Sequence, residues 1–210
     1  MRSIKHLSPR YVAARVKYGM YTKLNPDKPW ITPMATNCMG NLLCKSDVLV
    51  EFGSGRSTAW LAKHVEQVVS VEHNPEWYAR VQQLLDSGGI QNVDYRLCTT
   101  ENDNGAPATN EKYLSYFDEI DNESIDVVFV DGMFRNYCAL HSVSKVKSGG
   151  LIVIDNCNWF LPSVSRAPNS RSINEGPLDE VWNQFSEVTR EWRTIWTTCG
   201  VSDTVIYFKP

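Results

Sequence analysis

The sequence has no long apolar run, no paired cysteines and no low-complexity segment. None of its apolar stretches approaches the roughly 18 residues that a membrane-spanning helix requires, and its amino terminus lacks the apolar core of a secretory signal. Its six cysteines are scattered without a C-x-x-C pair, which disfavours both a zinc site and a disulfide framework. We therefore expect a cytoplasmic protein with reduced thiols and no membrane span.

Charge is nearly balanced overall but unevenly distributed. The 210 residues carry a net charge of −3, so a general polyanion binder is not expected. Residues 1–30, however, contain seven Lys and Arg residues and one acidic residue. This basic arm fits a solvated amphipathic helix, although contact with an anionic surface or substrate stays open. We divide the chain into a helical arm or cap over residues 1–46 and one ligand-binding domain over residues 47–210.

From residue 47 onward, short apolar runs alternate with helical patterns. The predicted strands before the last helical segment cover residues 47–51, 67–72, 93–98, 125–130 and 151–154. Continuous Val, Ile and Leu runs of this kind are typical of parallel strands that are buried on both faces. Two more predicted strands, 193–198 and 204–209, flank a short turn. The sequence therefore predicts a doubly wound α/β fold, with a mostly parallel seven-stranded sheet and an antiparallel C-terminal hairpin.

A glycine-rich turn, EFGSGRST at residues 51–58, follows the first predicted strand. Its two glycines let the backbone approach a ligand closely, and Glu72, after the second strand, can accept hydrogen bonds from ribose hydroxyls. The third glycine of a dinucleotide-binding turn is missing, and Glu51 suits a cationic ligand better than a pyrophosphate. S-adenosylmethionine (SAM), with its sulfonium and amino groups, meets these requirements. An oxidoreductase that uses a dinucleotide is the alternative.

The stretches VLVEFGSGRSTAWLA and VVSVEHNPEWY resemble motifs one and two of the class I SAM-dependent methyltransferases. The closest resemblance is to a bacterial group with an E-[FW]-G-S-G-R-S-T turn, and it runs from about Asp47 to Pro210. It implies a Rossmann-like methyltransferase fold and SAM as the cofactor. Many members have a third glycine at the position of Ser57. The cofactor-binding residues that the resemblance implies are Glu51, Phe52, Gly53, Ser54, Gly55, Ser57, Glu72, His73, Trp77 and Asp131.

Acidic residues also end the fourth and fifth predicted strands. Asp131 follows the fourth strand, and Asp155 and Asn156 follow the fifth, so we expect them at the same sheet edge as the cofactor. Their oxygen atoms could hold Mg²⁺ or a similar divalent cation, which would orient an acceptor oxygen. The spacing resembles the metal-dependent catechol-type O-methyltransferases, and this resemblance implies all three residues as metal ligands. Without a metal, Asp131 or Asp155 is the candidate general base.

The lysine that those enzymes place shortly after the first aspartate is absent, and Arg135 follows Asp131 by four positions. Arginine is a poor base, so we expect Arg135 to bind an anionic group of the substrate. The predicted function is O-methylation of a small molecule or a sugar-containing metabolite, with Asp131, Asp155 and Arg135 as catalytic residues. No nucleic-acid partner is expected, because V-D-G-M replaces the N-P-P-Y or D-P-P-Y turn of amino-methylating enzymes. A homodimer and a non-catalytic SAM-binding module stay open.

Overall fold

The computed structural model describes residues 8–99 and 110–210 and contains a single seven-stranded sheet in that part of the chain. Its strands are β1 (Val48–Phe52), β2 (Gln67–Glu72), β3 (Val93–Leu97), β4 (Ile125–Val130), β5 (Val146–Asp155), β6 (Arg193–Thr198) and β7 (Asp203–Phe208). They lie in the order β3-β2-β1-β4-β5-β7-β6. The first five are parallel, and β7 runs antiparallel between β5 and β6. The predicted fold class and the C-terminal hairpin are confirmed.

Several of the helices begin at residues with recognisable capping chemistry. They are α1 (Pro9–Leu24), α2 (Pro33–Leu42), α3 (Arg56–Ala62), α4 (Pro75–Ser87), α5 (Asn110–Leu114), α6 (Arg135–Lys145) and α7 (Glu180–Val188). The side chains of Ser8, Asn74 and Asp179 accept hydrogen bonds from the first turns of α1, α4 and α7. Proline occupies the first turn of α1, α2 and α4, where its missing N–H costs no hydrogen bond. No helix among the residues so described is long and apolar enough to cross a membrane.

The two faces of the sheet are covered by separate apolar clusters. Leu49 of β1 joins a cluster with residues of α2 and α3, whereas Val50 and Phe52 join a cluster with residues of α6 and α7. This alternation follows from the period of two residues in a strand, which points successive side chains to opposite faces. Both faces of β1 are therefore buried, which explains why all of its residues except Glu51 are apolar.

The order of the strands reverses between β1 and β4. After β1 the chain builds β2 and β3 on one side, and it then crosses over to build β4 and β5 on the other side. Ligands of open α/β sheets bind at the carboxyl ends of the strands where such a reversal separates the crossover connections. The backbones that leave β1 and β4 meet there, because the N–H of Asp131 donates to the carbonyl of Phe52 over 2.8 Å.

Two elements differ from their sequence-based bounds, which place a helix closed by residues 148–150 before the strand at 151–154 and a last helix over residues 178–192. β5 begins at Val146 rather than at residue 151, because the Ser148–Gly150 stretch, expected to be the end of a helix, continues as an irregular part of the strand. Gly149 adopts a φ of +81°, which glycine tolerates without strain. α7 ends at Val188 rather than near residue 192, and the hydroxyl of Thr189 donates to the carbonyl of Phe185 at that end.

Candidate functional site

A cleft of about 420 Å³ opens at the carboxyl ends of β1, β2 and β4. It is lined by Gly53, Ser54, Glu72, His73, Asn74, Trp77, Asp131, Gly132, Met133 and Arg135. The structure thus brings together several residues that the sequence marked as cofactor contacts. Asn74, Gly132 and Met133 were missed. The Asp-Gly pair after the fourth strand and the Asn-Pro pair at the start of α4 were the available signals.

Two glycines form the floor of this cleft. Gly53 has a φ of +89°, and a Cβ atom at this position would lie 2.5 Å from the Cα atom of Gly132. A Cβ atom on Gly132 would in turn lie 2.7 Å from the amide nitrogen of Gly53. The turns after β1 and β4 therefore touch through their backbones, and any side chain at either position would force them apart.

Glu51 lies fully buried at the end of β1, next to the glycine turn. Its Oε2 atom accepts hydrogen bonds from the hydroxyls of Thr58 and Ser70, both over 2.6 Å. Its Oε1 atom is buried and has no hydrogen-bond partner among the residues that the structure describes. Burial raises the pKa of Glu51 to about 7, against the lowering effect of nearby hydroxyls that include Ser57. An unpaired buried carboxylate oxygen is costly, and a cationic ligand group would relieve that cost.

Glu72 has the opposite environment at the end of β2. Its Oε2 atom accepts from the amide and the hydroxyl of Ser54, over 2.9 and 2.7 Å. Its Oε1 atom accepts from the amides of His73 and Asn74, over 2.8 and 2.9 Å. Burial alone would raise the pKa of Glu72, but hydrogen bonds from His73, Asn74 and Ser54 outweigh it and lower the pKa to about 2. Glu72 is therefore an ionised acceptor that holds the glycine turn against β2.

Aromatic side chains fix the same turn from outside. The indole nitrogen of Trp77 donates to the carbonyl of Ser54 over 2.7 Å. The hydroxyls of Ser54 and Tyr95 share a hydrogen bond of 2.7 Å. Trp77 was expected from the sequence, whereas Tyr95 lies in the middle of β3 and carried no signal of its own.

Four expected cofactor contacts do not line the cleft, and one of them is Glu51, whose buried side chain lies beside the glycine turn. The side chain of Phe52 packs in the core, with its ring centroid 4.6 Å from that of Phe117. Gly55 is buried, and its amide donates to the hydroxyl of Thr58 over 3.0 Å. Ser57 is buried next to Glu51. Strand periodicity explains Phe52, because Phe52 and Glu51 must point to opposite faces of the sheet.

Arg135 lies at the centre of the part of the cleft formed by the residues that follow β4 and β5, which we call the reaction end. Its Nε atom donates to the carbonyl of Gly132, and one terminal nitrogen donates to the carbonyl of Asp155 and the side-chain oxygen of Asn156. The other terminal nitrogen contacts the carbonyl and the carboxylate of Asp131, both at 2.7 Å. All five N–H groups of the guanidinium thus have protein acceptors. None is left for the substrate anion that we expected Arg135 to bind.

Asp155 and Asp131 differ in their access to the cleft. Asp155 is buried, and its two carboxylate oxygens accept from Thr204 and from Asn156 over 2.7 and 2.8 Å. Burial, followed by the charge of Asp131, raises the pKa of Asp155 to about 7. Asp131 lines the cleft, with 32% of its side-chain surface exposed. Burial also raises the pKa of Asp131, although the charge of Arg135 opposes this shift.

The arrangement does not fit the divalent cation that the resemblance to catechol-type enzymes implies. The side-chain oxygen of Asn156 and one oxygen of Asp131 already face the guanidinium of Arg135. Elsewhere in residues 8–99 and 110–210, no group of three or more His, Cys, Asp and Glu side chains could hold a metal ion. The expected ligands Asp131, Asp155 and Asn156 are indeed close together, but a positively charged side chain joins them.

Helix α1 lies near this reaction end. Burial raises the pKa of Tyr18, and the acidic groups of Asp155, Cys199 and Asp131 raise it further. The hydroxyl of Tyr18 donates to the carbonyl of Ile31 over 3.3 Å. A Cβ atom on Gly200 would lie 2.9 Å from the Cβ atom of Ala14, so α1 also packs tightly on the β6–β7 turn. Sequence reasoning did not identify Tyr18.

Comparison with known proteins identifies the family. The methyltransferase domain family matches residues 50–157, which include the glycine turn, Glu72 and both acids of the reaction end. No curated protein matches the chain.

Solved structures share the fold at low sequence identity. A candidate caffeoyl-CoA O-methyltransferase from Staphylococcus aureus is 14% identical, with 98% of this chain and 95% of that chain covered and a TM-score of 0.60. The O-methyltransferase TomG from Streptomyces achromogenes, involved in tomaymycin synthesis and solved with SAM, is 15% identical, with 97% and 91% covered and a TM-score of 0.57. A methyltransferase-like protein from Silicibacter pomeroyi is 21% identical, with 86% and 87% covered and a TM-score of 0.53.

The cleft itself suits SAM. The glycine floor admits close backbone contact with a ligand, the ionised Glu72 lines the cleft, and the buried, unpaired oxygen of Glu51 lies next to the glycine turn. The family match excludes the oxidoreductase alternative. From its family and its fold, the chain belongs to the methyltransferase domain family and is a SAM-dependent methyltransferase.

Proposed function

We propose that this enzyme methylates an oxygen atom of a small-molecule acceptor, with sugar-containing metabolites among the candidates. The observation that carries the proposal is the carboxylate of Asp131, which lines the cofactor cleft at its reaction end. Burial raises the pKa of this carboxyl, so it is a stronger base than an exposed aspartate. A base in that position can take the proton of an acceptor hydroxyl as the oxygen is methylated.

We propose that the residues of the glycine turn hold the methionine half of SAM. Glu51 would accept a hydrogen bond from the amino group through its unpaired Oε1 atom. Backbone at Gly53, Ser54 and Gly55 would complete this half of the site. SAM supplies an electrophilic methyl group, and the protein contributes mainly the alignment of the acceptor oxygen with it.

The ribose and adenine subsites follow from the end of β2. Glu72 would accept from the ribose hydroxyls, and His73 and Trp77 would lie beside the adenosine. The four donors on Glu72 fill its acceptor positions, so a ribose hydroxyl must replace one of them. The hydroxyl of Ser54 is the donor most easily replaced, because its O–H can turn to donate to the hydroxyl oxygen of Tyr95 instead.

Asp131, rather than Asp155, is our candidate for the general base. Asp155 is buried and both of its oxygens accept hydrogen bonds, so it lies behind Asp131 rather than in the cleft. We propose that Asp155 positions Asn156 and the end of β5. The acceptor would then bind between Asp131 and Tyr18, with residues 1–46 as a cap on the methyltransferase domain of residues 47–210.

The cofactor part of this proposal is tested by calorimetry with S-adenosylhomocysteine, the product of methyl transfer. We expect micromolar binding to the wild type, loss of binding in Glu72→Ala and no binding of NAD. Glu66→Ala is the matched control, because Glu66 is exposed near the opposite end of β2. Failure of the wild type to bind S-adenosylhomocysteine would contradict the assignment of the cleft.

The acceptor part is tested with a panel of phenols, catechols and sugar-containing metabolites, with S-adenosylhomocysteine release as the readout. Asp131→Asn keeps the shape of the side chain but removes the base, so we expect the turnover number to fall by about 10²–10⁴-fold with cofactor binding retained. Asp86→Asn, an exposed change on α4, serves as the control. Transfer only to nitrogen or carbon acceptors, or full activity of Asp131→Asn, would rule out this role.

A further inference from the structure

We infer that Arg135 is a built-in cation that occupies the place of a divalent metal ion at the reaction end of the cleft, so that Asp131, Asp155 and Asn156 bind no metal. The inference deepens the proposed function. It rests on that function in one respect, namely that the acceptor binds at this end of the cleft. From its position in the sequence, Arg135 was expected to bind an anionic group of the substrate instead.

The contacts of the guanidinium resemble a coordination shell. Five oxygen atoms, from the last residue of β5 and from the turns after β4 and β5, converge on one planar cation at 2.6–3.0 Å. They include the carboxylate of Asp131 and the amide oxygen of Asn156, which are the kinds of oxygen that Mg²⁺ or Ca²⁺ prefers. A metal ion could use these oxygens only if the guanidinium moved away.

The local charge explains why a cation is needed there. Asp131 and Asp155 end neighbouring parallel strands, and both carboxyl groups are withdrawn from solvent to a large extent. Two such acids repel each other unless a positive charge lies between them. Arginine carries its charge at every physiological pH and spreads it over a rigid fork, so it can bridge both strand ends at once.

The position of Arg135 attaches this bridging charge covalently to the protein. Arg135 is the first residue of α6 and lies four positions after Asp131, so the turn and the helix fix its backbone. Only 16% of its side-chain surface is exposed, and the ring of Phe160 lies 5.9 Å from the guanidinium carbon. A dissociable ion has no such covalent link, and its occupancy would depend on its concentration.

Manganese binding tests the inference directly, because the signal of free Mn²⁺ in electron paramagnetic resonance disappears on binding. We expect the wild type to bind Mn²⁺ no more tightly than about 1 mM. Arg135→Ala frees the carboxylate of Asp131 and the amide oxygen of Asn156 beside the buried carboxylate of Asp155, and we expect it to bind Mn²⁺ at least about tenfold more tightly. Arg190→Ala, an exposed change beyond α7, should behave like the wild type. Adding Asp155→Asn to Arg135→Ala should abolish the gain.

Tight Mn²⁺ binding by the wild type that Asp155→Asn removes would overturn the inference. A folded Arg135→Ala protein that gains no Mn²⁺ affinity would overturn it as well. If Arg135→Ala does not fold, Arg135→Met keeps the apolar length of the side chain and is measured in its place. Binding of S-adenosylhomocysteine to the wild type with a chelator present is measured on the same samples. Its failure would contradict the cofactor site and leave the Mn²⁺ result to decide the role of Arg135.

Discussion

At the scale of single residues, two buried glutamates beside the glycine turn have pKa values shifted in opposite directions. Glu72 accepts four hydrogen bonds and titrates at about 2, whereas Glu51 has an unpaired oxygen and titrates at about 7. Both lie towards the carboxyl ends of adjacent strands, but burial prevails at Glu51, whereas the hydrogen bonds prevail over burial at Glu72. The protein fills the acceptor positions of Glu72, whereas Glu51 keeps a buried oxygen without a donor among the residues that the structure describes.

For Glu51, we predict a pH-dependent cost to stability that Glu51→Gln removes. The pKa is about 7 in the folded state and 4.5 ordinarily, so the unfolded chain releases this proton first as the pH rises. Stability therefore falls between pH 4.5 and 7, and above that window the cost is on the order of 3 kcal/mol. Urea unfolding from pH 4 to 8 should show a shallower fall for Glu51→Gln.

The same variant should lose cofactor affinity. A glutamine at position 51 keeps one acceptor oxygen but loses the negative charge, so we expect S-adenosylhomocysteine to bind at least about tenfold more weakly. Calorimetry at pH 8 measures this. Unchanged affinity would mean that the unpaired oxygen of Glu51 has another role, whatever the stability result.

For Glu72, we predict a stabilising contribution that acid removes. The depressed pKa means that the contribution is complete above pH 4.5 and is lost as the pH falls towards 2. Glu72→Ala should therefore lower the free energy of unfolding at pH 7 by about 1–3 kcal/mol, and the difference from the wild type should shrink at pH 3. Urea unfolding at both values measures this, with Glu66→Ala unchanged at each. A constant difference would point to lost packing instead.

At the scale of elements, the cleft depends on how closely two turns approach. The turns after β1 and β4 meet at Gly53 and Gly132, where a single Cβ atom would overlap backbone at 2.5 to 2.7 Å. Backbone cannot rotate away as a side chain can, so the two strands would have to separate. Helix α1 shows the same dependence at Gly200, although there the neighbour is the side chain of Ala14.

We predict that Gly53→Ala destabilises the fold and abolishes binding of S-adenosylhomocysteine. Gly149→Ala is the matched control, because Gly149 has a similar φ of +81° but no neighbour within 4 Å of an added Cβ atom. The control should cost about 1 kcal/mol for the positive φ alone and keep its affinity. Gly53→Ala should cost a further 1–3 kcal/mol or so for overpacking. Equal costs in the two variants would show that the turns can move apart freely.

At the scale of the whole molecule, the cofactor should bind only the folded chain, because its contacts come from three separate strands. Saturation at about 100 times the Kd of S-adenosylhomocysteine should stabilise the protein by about 2.7 kcal/mol. For a domain of this size we expect the Tm to rise by roughly 5–10 °C. Differential scanning calorimetry measures this, with NAD as the inactive ligand. A rise that persists in Glu72→Ala would place the binding site elsewhere.

Much of the architecture could be predicted from local pattern. The alternation of apolar runs and helical segments gave the fold class, the strand that pairs antiparallel and most element bounds, because periodicity directly reflects which faces are buried. Gly53, Ser54, Glu72, His73, Trp77 and Asp131 also line the cleft as expected. Residues that follow parallel strands must converge at one sheet edge, so their position along the chain was enough to predict that they lie together. The family match then established SAM-dependent methyl transfer.

The sequence by itself therefore determined the sheet, its cofactor edge and the acids placed there, because all three depend on short-range pattern. Only the tertiary structure decided how those groups are paired. Arg135 looked like a free cation, yet all its donors are taken by residues up to 21 positions away. Tyr18 and Tyr95 reach the site from distant elements. Hydrogen-bond partners depend on which strand ends become neighbours, and that choice is made by the packing of the whole chain rather than by any local segment.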